Sequence, residues 1–408
     1  MRYLGIDVGG RPGADCHGFC EYCYFRHIHN TRSHPDPLNC QSHVPPLDLP
    51  EKVKTSKEKF RDYRVVAVEA VTRYLSRNRD IQGLRLTGGG DLSCYPNLPD
   101  LIDIFGTLGI PTSIGYTSGK GFGDPALGKS LVKSGLADIG FSVFSVDPDL
   151  RQKFVHDPHP EISLSVLEYL CGEIDVCAAA VVVPGRNDGG HLLETCEWLE
   201  ERGAKGLILM RFANREEQGL ILGNSPIIQD QQIQSIAEFH DLVKNLSSLF
   251  KMKINGSPLS DTEFGSPFAL RNNPELISRL PRVMKRATIV SGSIAAPYIK
   301  NILDACGFHS TVAATKKEIA CLITLQDLEG LDLSSLEKTV IIPGRALVRD
   351  NDARSVFSAD GIRRTVVRGP DMLTADAEKS MGMTRGDVHD LELTGFTELI
   401  NAINHYGV

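Results

Sequence analysis

Between residues 80 and 215 the chain switches repeatedly between two periods of apolar and polar positions. Short β-branched or aliphatic runs at Gly83–Thr87, Thr112–Tyr116, Asp138–Phe144, Val176–Val183 and Gly206–Arg211 read as strands. Between them, apolar residues spaced three and four apart predict helices over Asn97–Leu108, Pro125–Lys133, Leu164–Leu170 and Leu192–Glu200. Upstream, Tyr3–Val8 suits a first strand. Residues 56–77 suit an amphipathic helix with Ala67, Val68, Val71, Tyr74 and Leu75 on one face. Strands alternating with helices imply a parallel sheet, so the expected fold class is α/β. Six such units make a partial (β/α)6 barrel, two short of the full eightfold one.

The pattern breaks near residue 220, at Glu216-Glu-Gln-Gly and Gly223-Asn-Ser-Pro226. A helix near 229–249 follows, then short strands at Ala287–Val290, Ser310–Ala313, Ile319–Thr324 and Thr339–Ile342, with turn residues between them. The expected organisation is a barrel over 1–222 and a smaller, mixed α+β C-terminal domain over 223–408. A length of 408 residues suits one large catalytic unit with an appended domain.

Composition narrows the class. With 51 acidic against 44 basic residues the net charge is −7, which argues against a broad nucleic-acid footprint. No apolar run reaches the roughly 18 residues that span a bilayer. The first residues lack the apolar core and cleavage site of a signal peptide, so a soluble cytoplasmic protein is expected. Ten cysteines are too sparse for a disulfide scaffold in so long a chain.

Three of those cysteines crowd into Cys16-His-Gly-Phe-Cys20-Glu-Tyr-Cys23. Gaps of three and two residues let three thiolates converge on one metal centre. A four-iron cluster held by only three cysteines keeps one iron open for a further ligand. A structural zinc site is the alternative, but it wants four ligands in paired knuckles, and Cys40, Cys94 and Cys177 stand apart in the sequence. An ordinary ferredoxin-type cluster would want a fourth cysteine.

This spacing, with Tyr22 just before the last cysteine, resembles the radical S-adenosylmethionine (SAM) superfamily. The resemblance implies a [4Fe-4S] cluster on Cys16, Cys20 and Cys23. The amino and carboxylate groups of SAM chelate its open iron, and electron transfer gives a 5′-deoxyadenosyl radical. Each strand ends in a polar, glycine-rich segment, where barrel active sites are built. Thr87-Gly88-Gly89-Gly90-Asp91 is similar to the family's glycine-rich SAM motif. Ser142, Ser145 and Asp147 are placed to hold the ribose, and the segment from Val183 and Pro184 to Asp188 to pack against adenine. Arg211 and Asn214 follow the sixth strand.

Three further segments are similar to the methanogenesis marker protein 10 family: Gly10–Phe25, Gly115-Tyr116-Thr-Ser-Gly-Lys120-Gly, and the tail from Gly361 through Arg368-Gly-Pro-Asp to Asn401. That family consists of cobalamin-dependent radical SAM methyltransferases, which methylate C5 of an arginine in the α subunit of methyl-coenzyme M reductase. The resemblance implies that one SAM methylates cobalamin and a second supplies the radical that abstracts hydrogen from the arginine. The carbon radical then takes the methyl group. An electron donor such as a ferredoxin is implied, as are the reductase α subunit as substrate and neither nucleic acid nor membrane as partner. Within the family Tyr116 sits near the open iron; a barrel-lining tyrosine is the plainer reading. In that family the C-terminal domain helps enclose cobalamin; no Asp-x-His-x-x-Gly motif is present here, so the resemblance implies cobalamin held base-off without an axial histidine, with Leu322 near its lower face or in the core. Asp91, Asp147 and Glu216 are candidates to orient the guanidinium. The family also carries a second cysteine-rich stretch binding a single iron. Here the matching residues 38–46 keep only Cys40, so a mononuclear iron is expected only if His27, His29, His34 or His43 replace the missing cysteines. A radical SAM enzyme that modifies peptides without cobalamin and a non-catalytic iron–sulfur protein remain as alternatives.

Overall fold

The computed structural model describes residues 3–23, 25–26, 59–60, 71–72, 83–218, 226–258, 261 and 267–408. They fall into two compact units. The first runs to Phe212 and takes in Ile227–Gly256, and the second joins Ala213–Pro226 to Ser257–Val408.

Seven strands form the sheet of the first unit in chain order: β1 (Tyr3–Asp7), β2 (Gly83–Thr87), β3 (Thr112–Thr117), β4 (Leu136–Ser142), β5 (Asp175–Val182), β6 (Gly206–Arg211) and β7 (Lys253–Ser257). Neighbours from β1 to β6 pair in parallel. Helices α1 (Leu98–Gly106), α2 (Ala126–Lys133), α3 (Pro160–Glu173), α4 (Gly190–Glu201) and α5 (Ile236–Leu249) connect them. The six expected strands are present, and a seventh extends them. β7 was not expected, because Lys-Ile-Asn-Gly-Ser is short and carries strand-averse residues.

Burial explains why the strands read as nearly continuous apolar runs. Ala178, Ala179, Ala180 and Val182 on β5 and Leu207, Ile208 and Leu209 on β6 are all buried, as in a parallel sheet covered on both faces. Helix α1 shows the matching helical rule: Leu98, Leu101, Ile102 and Phe105 make its buried face. Truncating Phe105 to alanine would cost about 3–5 kcal/mol. Between β3 and β4 the register slips at Ile114/Tyr116. Gly115 lies at that slip, and a Cβ there would stand 3.0 Å from the Leu86 carbonyl. Irregularities of this kind re-aim the next side chain, here Tyr116. Of the expected helix over 56–77, Val71 is buried in the core. The rest of it, apart from 59–60 and 72, lies outside the described residues.

The second unit has a four-stranded sheet in the order β11-β10-β8-β9: β8 (Thr288–Ser291), β9 (Val312–Ala314), β10 (Thr339–Ile342) and β11 (Thr365–Arg368). All its pairs are parallel. Helix α6 (Ala296–Ala305) crosses from β8 to β9, and α7 (Asp350–Val356) leads into β11. The chain closes on α8 (Arg385–Tyr406). The smaller C-terminal domain is present, but its expected strand over Ile319–Thr324 is a correction: Ala320–Leu322 is a 3-10 turn. Thr324 then caps a short helix, exchanging hydrogen bonds with Asp327. Thr324 makes an isolated parallel bridge to Leu347, and the capping box then turns the chain into the helix before a strand can extend. No helix among the described residues is long and apolar enough to cross a membrane.

Candidate active site

The cysteine loop follows β1. Gly9 and Gly10 turn the chain with positive φ of 72° and 97°, and the turn packs directly on the glycine loop after β2. Gly89 donates to the Gly9 carbonyl at 2.9 Å. A Cβ on Gly88 would stand 2.6 Å from that carbonyl oxygen, and one on Gly90 would stand 3.0 Å from the Asp15 oxygen. Glycine is needed here for close approach, because the two loops touch backbone to backbone. Arg11 clamps Asp15 with its main-chain N–H at 2.7 Å and its guanidinium at 2.9 and 3.0 Å.

Within this frame the three cysteines are half-buried and form no disulfide. The Cys16 sulfur accepts from the Asp91 main-chain N–H at 3.1 Å. The Cys20 sulfur lies 3.5 Å from the Val155 carbonyl and 3.7 Å from the Lys120 ammonium. Cys23 N–H bonds the Cys20 carbonyl at 3.0 Å. Burial pushes the Cys16 and Cys20 thiols up and Cys23 up to about 12, while Lys120 acts in the opposite direction on all three. Tyr22 stacks flat on Phe144, with centroids 4.7 Å apart and planes 6° off parallel. Phe144 holds φ at 59°, a left-handed conformation that a bulky residue adopts only under constraint. Glu21 fastens the loop from outside, with its N–H on the Phe154 carbonyl at 2.8 Å and its carboxylate on Arg26 and His156 at 2.9 and 2.7 Å.

The Asp91 side chain is taken up by the protein. One oxygen accepts from Ser93 N–H at 3.0 Å and from the Ser93 and Thr117 hydroxyls. The other accepts from Ser118 N–H at 2.8 Å and from the Ser118 hydroxyl. Burial raises its pKa, but these donors outweigh burial and hold the carboxyl below its ordinary value. Asp91 therefore ties the β2 loop to the β3 loop and aims its own N–H at Cys16.

Tyr116, Ser142, Ser145, Asp147, Pro184 and Arg211 lie at or just after the C-terminal ends of β3 to β6. Tyr116 stands on β3 opposite Gly140 of β4. Ser142 ends β4. Ser145 is buried and accepts from Asp147 N–H at 3.1 Å, and Asp147 in turn accepts from Asp149 N–H at 2.8 Å. The Pro184 carbonyl accepts from Gln231 at 2.8 Å, and Arg211 ends β6, buried. In the second unit, Asn214 N–H bonds Gln218 at 3.0 Å, Glu216 is exposed, and Leu322 is half-buried on its turn rather than in the core. Cys40, His27, His29, His34 and His43 lie outside the described residues.

Four residues with no individual role assigned from sequence stand in this region. Arg151, fully buried, pairs with Asp157 at 2.7 Å and donates to the Val143 and Ser118 carbonyls, each at 2.6 Å. Buried Asn187 joins the loops after β4 and β5 through the Phe144 carbonyl and Val183 N–H, each at 2.8 Å. Lys120 is the third. Cys94, isolated in the sequence, lies near enough to Asp91 and Cys16 for their charges, after burial, to push its thiol up to about 12. The first three were hidden because their partners are mostly carbonyls, which carry no side-chain signature.

Among the described residues no three His, Cys, Asp or Glu are grouped as ligands of a single metal ion. A cluster differs from an ion in taking one thiolate per iron, so its cysteines need not crowd round one point.

Residues 11–199 match the radical SAM superfamily model. No curated protein matches the chain. Among solved structures the chain is similar to Streptococcus suis SuiB, with a TM-score of 0.39 and 13% identity over 67% of this chain and 53% of that one. It is also similar to methylornithine synthase, at 0.38 and 14% over 62% and 65%. A radical SAM methyltransferase from Sphaerobacter thermophilus gives 0.36 and 13% over 63% and 66%. The chain thus spans about half the length of SuiB. The matched segment contains the three-cysteine loop and the glycine loop it rests on, and over that segment the chain is similar to the radical SAM superfamily.

Proposed function

We propose that this protein is a cobalamin-dependent radical SAM methyltransferase that methylates C5 of an arginine in the α subunit of methyl-coenzyme M reductase. The observation that carries the reading is the Gly10–Phe25 loop, whose three cysteines lie half-buried together against the Gly88–Gly90 turn. A radical SAM domain implies a [4Fe-4S] cluster and SAM, and the residues fit both. Three thiols, a main-chain N–H on one sulfur and an ammonium beside another are a donor set suited to a negatively charged cluster. When bound, the cluster and SAM would supply a 5′-deoxyadenosyl radical and cobalamin a methyl group for an unactivated carbon that offers no nucleophile.

The chain's own residues prepare that chemistry. Cys16, Cys20 and Cys23 would hold the cluster. The glycine loop leaves main-chain groups open at close range, and Asp91 fixes the loop's course through its hydroxyl donors. Ser142, Ser145, Asp147 and Pro184 line the next two strand ends, where the ribose and adenine would be bound. In the second unit, half-buried Leu322 on a turn suits an apolar neighbour of a corrin face better than a core position.

The test is anaerobic. Cluster-reconstituted protein is incubated with hydroxocobalamin, desalted, and then given SAM, a reductant and an arginine peptide of the reductase α subunit. Retained cobalamin absorption with a methylated arginine is the expected result. An iron–sulfur absorption with no retained cobalamin and no methylation overturns the cobalamin reading and leaves a radical SAM enzyme of another specificity.

A further inference from the structure

Lys120 is 2% exposed, and a lysine is almost never buried without a partner for its charge. Its ammonium has three N–H donors, and three acceptors surround it: the Gly18 carbonyl at 2.7 Å, the Val155 carbonyl at 3.1 Å and the Cys20 sulfur at 3.7 Å. No carboxylate stands within ion-pair distance of it among the described residues. Carbonyls satisfy donors but do not cancel a charge. The anion this buried cation can meet is Cys20 as a thiolate, the form that binds iron.

The Val155 carbonyl sharpens the point. It lies 3.5 Å from the Cys20 sulfur, a contact a neutral thiol can make by donating its proton. Once that sulfur has lost its proton, two electron-rich atoms face each other. Lys120 reaches both, so its positive charge offsets their repulsion. The three contacts also bridge the cysteine loop, through Gly18, to the segment after β4, through Val155.

We propose that Lys120 is a positioning residue for the iron–sulfur cluster: it places a fixed positive charge against the Cys20 thiolate, favouring the reduced, more negative cluster and slowing its loss. The inference rests on the cluster reading above. A buried positive charge beside a redox centre stabilises the state with more electrons, so removing it lowers the reduction potential. A role confined to loop packing would change thermal stability and leave the potential where it was.

The experiment compares anaerobically reconstituted parent, Lys120→Arg, Lys120→Gln and Lys120→Met proteins. It reads iron per chain, the midpoint potential by electron paramagnetic resonance titration, and the rate of cluster loss to a chelator. Gln keeps donors for the carbonyls without the charge, and carries the comparison if the Met chain does not fold. Expected are a lower potential and several-fold faster iron loss in the neutral variants, with Arg close to the parent. Neutral variants that match the parent potential, or an Arg variant shifted as far as Gln, overturn the proposal. A parent protein that takes up no iron–sulfur cluster overturns the underlying reading instead.

Discussion

Two buried cations lie in the same region of the first unit and are treated differently. Arg151 has a carboxylate, Asp157, with both side chains 0% exposed, and it spends its other donors on carbonyls of the loops after β3 and β4. Lys120 has carbonyls and a sulfur but no carboxylate among the described residues. Arg151 is electrically complete within the protein and ties strand ends together. Lys120 is complete only when a cysteine is ionised. The first arrangement maintains a scaffold and the second suits the proposed cluster site, and the composition of the two neighbourhoods would not have separated them.

That contrast can be broken most forcefully at Arg151. Replacing it with methionine leaves Asp157 as a buried, unpaired carboxylate and is expected to cost about 3–5 kcal/mol. Such a loss is a large share of the roughly 5–15 kcal/mol that holds a folded protein together. Urea unfolding of the metal-free chain measures it. The double variant Arg151→Met with Asp157→Leu should recover part of the loss, since no charge is then stranded. A small effect for the single variant would remove the distinction between the two cations.

Asp91 comes next, because it joins scaffold to site. Asp91→Asn loses the charge that five side-chain and main-chain donor groups share, and is expected to cost about 1.5–3 kcal/mol. The pH dependence has a definite sign. The folded pKa lies below the ordinary carboxyl value of 3.8, so the stabilisation is fully present above that value and is lost as pH falls through the folded pKa. Acid titration of the parent against the Asn variant should show the parent losing its advantage below about pH 4. A constant difference across the acid range would contradict the assignment.

A smaller effect is expected from Gly88→Ala. The added methyl would meet the Gly9 carbonyl at 2.6 Å, and relief requires the cysteine loop to shift, at a cost of about 1–3 kcal/mol. Iron bound per chain should fall more than thermal stability does. Equal iron uptake with a full fold would show that the two glycine loops need not touch.

The parallel sheet was legible because its strands are buried on both faces and therefore stand out as short apolar runs. β7 and β11 were missed because Lys-Ile-Asn-Gly-Ser and Thr-Val-Val-Arg are brief and partly polar. Ile319–Thr324 was misread as a strand on its β-branched residues, although Thr324 and Asp327 stand at capping-box spacing in the sequence itself. The cysteine loop was legible because its chemistry depends on local spacing. Lys120 was not, since the acceptors around it lie 100, 102 and 35 residues away at Cys20, Gly18 and Val155. The same holds for Phe144, whose strained backbone and stacking on Tyr22 belong to the folded loop alone.

If Cys16, Cys20 and Cys23 hold a cluster that cleaves SAM, 5′-deoxyadenosine is its direct product. Reconstituted parent protein and its Cys20→Ser variant would be reduced anaerobically with SAM, and 5′-deoxyadenosine measured by chromatography. The account predicts 5′-deoxyadenosine from the parent and none above background from the variant, with both chains folded. A parent that carries its cluster yet forms no 5′-deoxyadenosine, or a Cys20→Ser variant that forms as much, would contradict it.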